Sequence, residues 1–378
     1  MRPLRVLVAA GGTAGHVFPG LAVARRLRDR FGAEVLFIGR TDGQEATLAP
    51  ESGFRLVTVE ARPFVRRLSV AALRAPFTAL RAARRARRVV RGADVVLGMG
   101  GYVSVPVSLA AGRERVPLVI HEQNAVLGLA NRVAARWAAA VALGFEDASG
   151  GVPRRTPTVV TGNPVRENVL RVPLDREALA KEAREQFRLE PDRRTVVVFG
   201  GSQGALHLNQ TAVGTARILA GRSDLQILLI TGPLHYERFR REIRPGAGLL
   251  LRAEPFVDRI ELVYAASDLA VTRAGASTLA ELSVSGLPAL LIPYPYATGR
   301  HQEANAWALQ RAGGASVLLD DQLSPESLAD RVIELVDHRE RLDLMAKASA
   351  AFARPDAADA LATLAAESAR VPRSAGDR

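Results

Sequence analysis

A chain of 378 residues, 48% of them apolar, is long for one core and comfortable for two domains, and it holds no cysteine. Disulfides, thiolate metal sites and cysteine nucleophiles are therefore excluded. The net charge of +12 is almost wholly arginine, with lysine only at Lys181 and Lys347. No apolar run approaches the ~20 residues that span a bilayer, and Met1-Arg2-Pro3 leads into a strand instead of a signal peptide.

In chain order, residues 5–10 form a branched apolar run suited to a strand buried on both faces of a parallel sheet. The glycine-rich loop Gly11-Gly12-Thr13-Ala14-Gly15-His16 follows, and then a helix over 18–30. Residues 34–39, 94–98, 116–121 and 141–143 supply further strands, and 129–137 another helix. Between them, the segment from Arg62 to Arg91 carries Arg66, Arg67, Arg74, Arg81, Arg84, Arg85, Arg87 and Arg88 between its ends, interleaved with Phe64, Leu68, Val70, Leu73, Phe77 and Leu80, with no acid. At helical spacing this is a basic amphipathic segment. It is either a solvated helix or a surface lying on anionic lipid. Sparse aromatics and the absence of any familiar motif argue against nucleic acid. Prolines and glycines over 150–164 mark a crossing region, with the domain boundary near Asn163. A helix over 171–186 precedes a second sheet, with strands at 195–199, 226–231, 249–252, 269–272, 289–292 and 315–318. Its first strand runs into Gly200-Gly201-Ser202-Gln203-Gly204. A last helix covers 357–369, and 371–378 is a loose tail.

Glycines in both loops let backbone approach phosphate or sugar closely. A Walker loop needs a lysine after its glycine, and neither lysine follows one, so the NTPase reading fails. A dinucleotide fingerprint needs G-x-G-x-x-G with an acid at the end of the next strand; the spacing over 11–15 is wrong and Asp42 lies too far along. Two such loops in two halves favour a ligand cleft between sheet ends. Four further polar groups follow predicted strands or the crossing: His121-Glu122-Gln123-Asn124, Gly162-Asn163-Pro164-Val165-Arg166, Arg273 through Glu281, and Gly299 through Asn305. Each also has a local reading as a cap, a surface turn or a helix-face ion pair.

These segments, with Gly98-Met99-Gly100-Gly101-Tyr102 and the continuation of the first loop through Val17-Phe18-Pro19, resemble in order the motif series of the MurG family of bacterial N-acetylglucosaminyltransferases, over nearly the whole chain. The resemblance implies an α/β protein of two Rossmann-like domains facing across a cleft, the GT-B architecture. Residues 1–163 and a returning helix at about 354–370 would form the acceptor and membrane-docking domain, and 164–353 the donor domain. The implied reaction moves N-acetylglucosamine from UDP-N-acetylglucosamine to the muramoyl 4-hydroxyl of undecaprenyl-diphosphate-linked lipid I, giving lipid II with inversion from α to β. The implied location is peripheral, on the cytoplasmic face of the membrane, with the Arg62 to Arg91 segment as docking face.

Such chemistry needs a base and stabilisation of the departing diphosphate. His16, whose ordinary pKa lies near working pH, is the leading base, and Glu122 is the rival base or an orienter of the acceptor sugar. No D-x-D motif exists in the chain, so no metal clamp is signalled and no cofactor is expected. Leaving-group charge falls instead on the helix start at Ala276, Ser277 and Thr278, on Ser202 and on Arg166. By resemblance, Glu281 receives the ribose hydroxyls, Val257 presents backbone to uracil, and Gln302 with Asn305 holds sugar hydroxyls. Thr13, Ala14, Gly15 and Asn124, together with Leu279 and Ala280 of the helix motif, complete the donor pocket. Ala14 stands where some relatives have glycine, and Ala297-Thr298-Gly299-Arg300 lacks the acid often found before the His301-Gln302 pair. An epimerase acting on UDP-N-acetylglucosamine and a noncatalytic nucleotide-sugar-binding membrane protein are the alternatives.

Overall fold

The computed structural model describes residues 2–11, 14–59, 84, 86–101, 103–201, 204–242 and 248–370. They divide into two compact units, Met1–Val165 with Asp356–Arg378, and Arg166–Pro355.

In the first unit, β1 (Arg5–Ala9), β2 (Glu34–Gly39), β3 (Arg55–Thr58), β4 (Val95–Gly98), β5 (Leu118–Glu122), β6 (Ala140–Leu143) and β7 (Thr158–Val160) make a parallel sheet in the order β3-β2-β1-β4-β5-β6-β7. Alternation along β1 divides the core: Val6 and Val8 face one side, Leu7 and Ala9 the other. The Val6 side is covered by the helix Ala14–Phe31 and by the last helix, Ala357–Arg370, which lays Ala358, Leu361, Ala362 and Ala365 against the sheet. That spacing is a helical stripe, and its alanines let the helix come close. Asp359 fixes its angle through ion pairs to Arg26 (3.3 Å) and Arg30 (3.1 Å). On the Leu7 side, Ala86 and Val90 are fully buried, so the end of the arginine segment is packed into the core. Arg87 and Arg91 pair there with Glu114. Residues 62–83 and 85 of that segment lie outside the described residues.

In the second unit, β8 (Arg194–Phe199), β9 (Leu225–Ile230), β10 (Leu250–Glu254), β11 (Leu269–Thr272), β12 (Ala289–Leu291) and β13 (Ala315–Val317) are parallel in the order β10-β9-β8-β11-β12-β13. Both sheets share one winding: the chain starts in the middle, builds to one side, then crosses back and builds to the other. Each therefore reverses direction at one place, between β1 and β4 in the first unit and between β8 and β11 in the second. In open sheets of this kind, ligands bind beyond the carboxyl ends of the strands at that reversal.

Candidate active site

In the first unit the reversal brings together the loops after β1 and β4. Gly101 has φ +79°, and a Cβ built on it would lie 2.2 Å from the Gly11 carbonyl oxygen, so the two loops approach at a distance that only glycine permits. The Ser104 hydroxyl lies 3.0 Å from the Ala9 carbonyl and 2.7 Å from that of Gly100, tying β1 to the β4 loop. His16, in the first turn of Ala14–Phe31, packs against Gly100. Its Nδ1 is 3.1 Å from Gln123 Oε1, while Gln123 Nε2 faces the Met99 carbonyl oxygen at 3.4 Å. A carbonyl only accepts, so the amide nitrogen belongs at Met99 and the amide oxygen at His16. The proton of a neutral His16 then sits on Nδ1, which leaves Nε2 as the basic atom.

Glu122 closes β5 and is buried. Its Oε1 accepts from the Asn124 backbone N–H (3.0 Å) and from Asn124 Nδ2 (3.1 Å); its Oε2 accepts from Gly128 N–H and Asn131 Nδ2, both at 2.9 Å. Four donors occupy the four lone-pair positions of one carboxylate. The geometry suits an organiser of the 123–131 loop better than a proton acceptor.

His121 is wholly buried, and its Nε2 donates to the Gly162 carbonyl oxygen at 3.0 Å. Asn163 Nδ2 likewise donates to the Gln123 carbonyl (2.9 Å), so the segment after β7 is strapped to the end of β5. Burial, aided by nearby His16, pushes the His121 pKa from 6.5 down to about 4. The unfolded chain binds the extra proton between those values and the folded chain does not, so stability falls as pH drops from 6.5 toward 4, by roughly 3 kcal/mol in all. Between pH 7 and pH 5 the protein is expected to lose about 2 kcal/mol in urea unfolding through this group. His121→Gln keeps a donor at the same place and should lack that part of the loss; an identical pH dependence in the variant would refute the assignment.

In the second unit the reversal joins the loops after β8 and β11. Gly201 and Gly204 have φ of +92° and +77°, and a Cβ on Gly204 would lie 2.0 Å from the Thr231 carbonyl oxygen. Two helices begin here, Leu206–Ile218 after Ala205 and Ala276–Val284 after Gly275, and neither N-cap offers a side-chain cap. First-turn amides of the second helix, those of Ala276, Ser277 and Thr278, precede its first internal bond, from Leu279 N–H to Gly275 O (2.9 Å). An anion is favoured at such an end by the amides and by the helix dipole. Arg273 holds the loop from beneath: its guanidinium donates to the carbonyls of Ile292 (3.2 Å) and Pro293 (3.4 Å), pairs with Asp320 and stacks on Tyr294.

Glu281 lies one and a half turns into this helix and is buried. Arg166 grips it in a fork, Nε to Oε1 at 2.8 Å and a terminal nitrogen to Oε2 at 3.0 Å, and the Tyr264 hydroxyl donates to Oε2 at 2.9 Å. Burial opposes the Arg166 charge, but the Glu281 carboxylate more than compensates and its pKa is raised. Burial and the same carboxylate hold the Tyr264 phenol well above its usual value, so it stays a donor.

Of the other expected residues, Gln302 and Asn305 lie on the helix His301–Arg311. Gln302 Oε1 accepts from the Tyr294 N–H (2.9 Å); Asn305 is fully buried, with Nδ2 on the Ala274 carbonyl (3.1 Å), and supports the β11 loop. Leu279 is wholly buried, whereas Ala280 is partly exposed; Val257 is buried just beyond β10. Gly15 lies in the first turn of Ala14–Phe31, which Ala14 opens; Thr13 and Ser202 lie outside the described residues. Gln123 was named from sequence only as a member of its motif, with no role, and Tyr264 was not singled out. Gln123 stands between two residues that were, and its neighbours were the available signal. Tyr264 gave none, because a tyrosine inside the apolar run of Ile260–Ala266 looks like core.

Residues 6–143 match the glycosyltransferase family 28 N-terminal domain, and residues 195–361 match the family's C-terminal domain. The chain is 38% identical over 376 residues to the UDP-N-acetylglucosamine–N-acetylmuramyl-(pentapeptide) pyrophosphoryl-undecaprenol N-acetylglucosamine transferase of Halothermothrix orenii, covering 97% of this chain and 100% of the relative. The enzyme of the same name from Moorella thermoacetica is 42% identical over 366 residues, covering 95% and 97%. The crystal structure of Acinetobacter baumannii MurG superposes with a TM-score of 0.77 at 30% identity, over 97% of this chain and all of that one. The chain belongs to the MurG family. Its two parallel α/β units are the Rossmann-like pair of the GT-B architecture. A Listeria monocytogenes protein described as a putative UDP-N-acetylglucosamine 2-epimerase shares the fold with this MurG-family chain (TM-score 0.69), at 15% identity. That likeness extends to the fold alone.

Proposed function

We propose that the chain transfers N-acetylglucosamine from UDP-N-acetylglucosamine to the C4 hydroxyl of the muramoyl unit of lipid I, forming lipid II for peptidoglycan. The observation that carries this reading is full-length kinship with transferases of that name, together with the placement of the described family motifs beyond the strand ends at the two reversals. In the reaction His16 Nε2 takes the proton of the acceptor hydroxyl as its oxygen bonds to the anomeric carbon. The bond from that carbon to the diphosphate oxygen breaks, UDP leaves with the electron pair, and configuration inverts. Amides at Ala276, Ser277 and Thr278 meet the charge on the diphosphate, and Glu281 binds the ribose. Glu122 orients Asn124, and Asn305 supports the loop that carries the amides. A short-chain lipid I analogue and UDP-N-acetylglucosamine should yield UDP and β-linked disaccharide in equal amounts. Epimerised donor, or UDP release independent of acceptor, would refute the transfer.

A polyprenyl acceptor stays in the bilayer, so the first unit works as a peripheral membrane protein on the cytoplasmic face. No helix among the described residues is long and apolar enough to cross a membrane. Support for docking comes from exposed apolar pairs at helical spacing on two neighbouring helices: Val105 with Leu109 on Ser104–Glu114, and Leu129 with Val133 on Leu129–Ala134. Arg84 and Arg88 are exposed on the nearby arginine segment, whereas Arg87 and Arg91 are paired. At about 1 kcal/mol per basic residue near anionic lipid, replacing Arg84 and Arg88 by glutamine weakens partition into anionic vesicles roughly 30-fold. Turnover of a water-soluble acceptor should stay unchanged. Unaltered flotation would show that these arginines do not face lipid.

A further inference from the structure

We infer that Glu45 is a positioning residue: its carboxylate bolts the loop after β1 in place and so sets the geometry of His16. This rests on the transfer reaction proposed above and adds to it a residue that belongs to none of the glycine or polar motifs. Glu45 opens the helix Glu45–Glu51, directly after the turn that leaves β2, and has no exposed surface. A buried carboxylate is costly unless it is hydrogen-bonded. Its Oε1 accepts from the Arg40 backbone N–H at 2.7 Å, so the side chain points back along the turn to the end of β2. Three glycines make the room it occupies. A Cβ on Gly39, the last residue of β2, would overlap its Cγ; one on Gly43 would overlap its carboxylate; and one on Gly11 would lie 2.6 Å from Oε1. None of the three lies at positive φ, so the need for glycine here is space for Glu45 and not backbone freedom.

A cap for the β2 turn needs only the Arg40 contact. The contact with Gly11 has a different consequence. In the sheet, β1 lies between β2 and β4. Gly11, just past β1, is pressed from the β2 side by Glu45 and from the β4 side by Val103, whose Cγ2 would be 2.8 Å from the same Cβ, while Gly101 closes on the Gly11 carbonyl oxygen. The loop is thus clasped by the loops of both neighbouring strands. The helix it enters carries His16 in its first turn, against Gly100. Removing one jaw frees the loop to shift toward β2, and the base moves with it. A displacement of about 1 Å is enough to cost roughly 100-fold in rate.

The test uses the full chain and a water-soluble lipid I analogue. Glu45→Ala empties the cage; Gly43→Ala keeps Glu45 in the chain but displaces its carboxylate with a methyl group, at no cost in backbone conformation. Each should lower kcat at least about tenfold while affinity for UDP by calorimetry stays within about twofold, and amide hydrogen exchange over residues 10–16 should quicken. The double variant should lose no more than Glu45→Ala alone, because the second change has nothing left to displace. Glu45→Gln keeps the size and an oxygen for the Arg40 N–H, and should restore kcat to within about threefold of wild type. Gly43→Ala serves if Glu45→Ala does not fold. A role confined to the fold predicts lower thermal stability with wild-type kcat and unchanged exchange over residues 10–16, and that result overturns the inference. So do losses that multiply in the double variant. A wild type that releases no UDP in response to acceptor would instead refute the transfer reaction, and the exchange measurement would still decide whether Glu45 holds the loop.

Discussion

Replacing His16 with alanine lowers turnover of UDP-N-acetylglucosamine and a lipid I analogue by about 10²- to 10⁴-fold, the range over which a positioned general base contributes. Binding of UDP should be unchanged, because His16 belongs to the first unit and the groups proposed for the diphosphate and the ribose to the second. The tautomer argument adds a graded expectation. Gln123→Met removes the acceptor that holds the proton on Nδ1 and should cost about tenfold in kcat, because neutral imidazole then populates both tautomers. Glu122→Gln disturbs the four-donor cage and should raise KM for the acceptor more than it lowers kcat. Steady-state kinetics of the three variants decide between the bases. A small effect at His16 with a hundredfold loss of kcat at Glu122 would transfer the role to the carboxylate.

Gly101→Ala is expected to abolish most activity without touching the donor site. The new methyl would sit 2.2 Å from the Gly11 carbonyl oxygen and 3.5 Å from His16 Cδ2, on a residue at φ +79°. The clash is with backbone, so it is relieved only by parting the loops after β1 and β4, and the positive φ alone costs roughly 1–2 kcal/mol for a residue with a side chain. A total destabilisation of about 2–4 kcal/mol and a fall in kcat of at least 100-fold follow, with UDP affinity preserved. Thermal unfolding, kcat and calorimetry measure the three quantities. A variant with wild-type turnover would show that the two loops can separate without harm.

The central strands were legible because burial on both faces demands unbroken branched runs; β2 and β11 match their expected limits, and the others agree to within a residue or two. The edges were not. All three residues of β7 are exposed, and β3 is only half-buried, so neither carries the apolar run that marks a strand. Helices such as Ser104–Glu114, where serine and proline stand among the apolar residues, also lack the strong polar and apolar contrast that signals amphipathicity. At the site, motif residues announced themselves by falling after strands, yet their roles depended on partners distant in sequence. Arg166 and Glu281, both expected to touch the donor, are 115 residues apart and bind each other. Asn305, expected on the sugar, has its Nδ2 on the Ala274 carbonyl, 31 residues away in the chain. Spacing can place such groups at the same strand end but cannot apportion their hydrogen bonds, because these are settled by tertiary geometry.

The central claim is that the sugar nucleotide lodges at the reversal of the second sheet, its diphosphate met by helix-end amides. Crystals of the full chain soaked with UDP-N-acetylglucosamine test this directly. The account predicts diphosphate oxygens within hydrogen-bond distance of the Ala276, Ser277 and Thr278 amides and the ribose at the Glu281 carboxylate. Diphosphate density on the Gly11 to Gly15 loop of the first unit, with the helix at Ala276 bare, would contradict it.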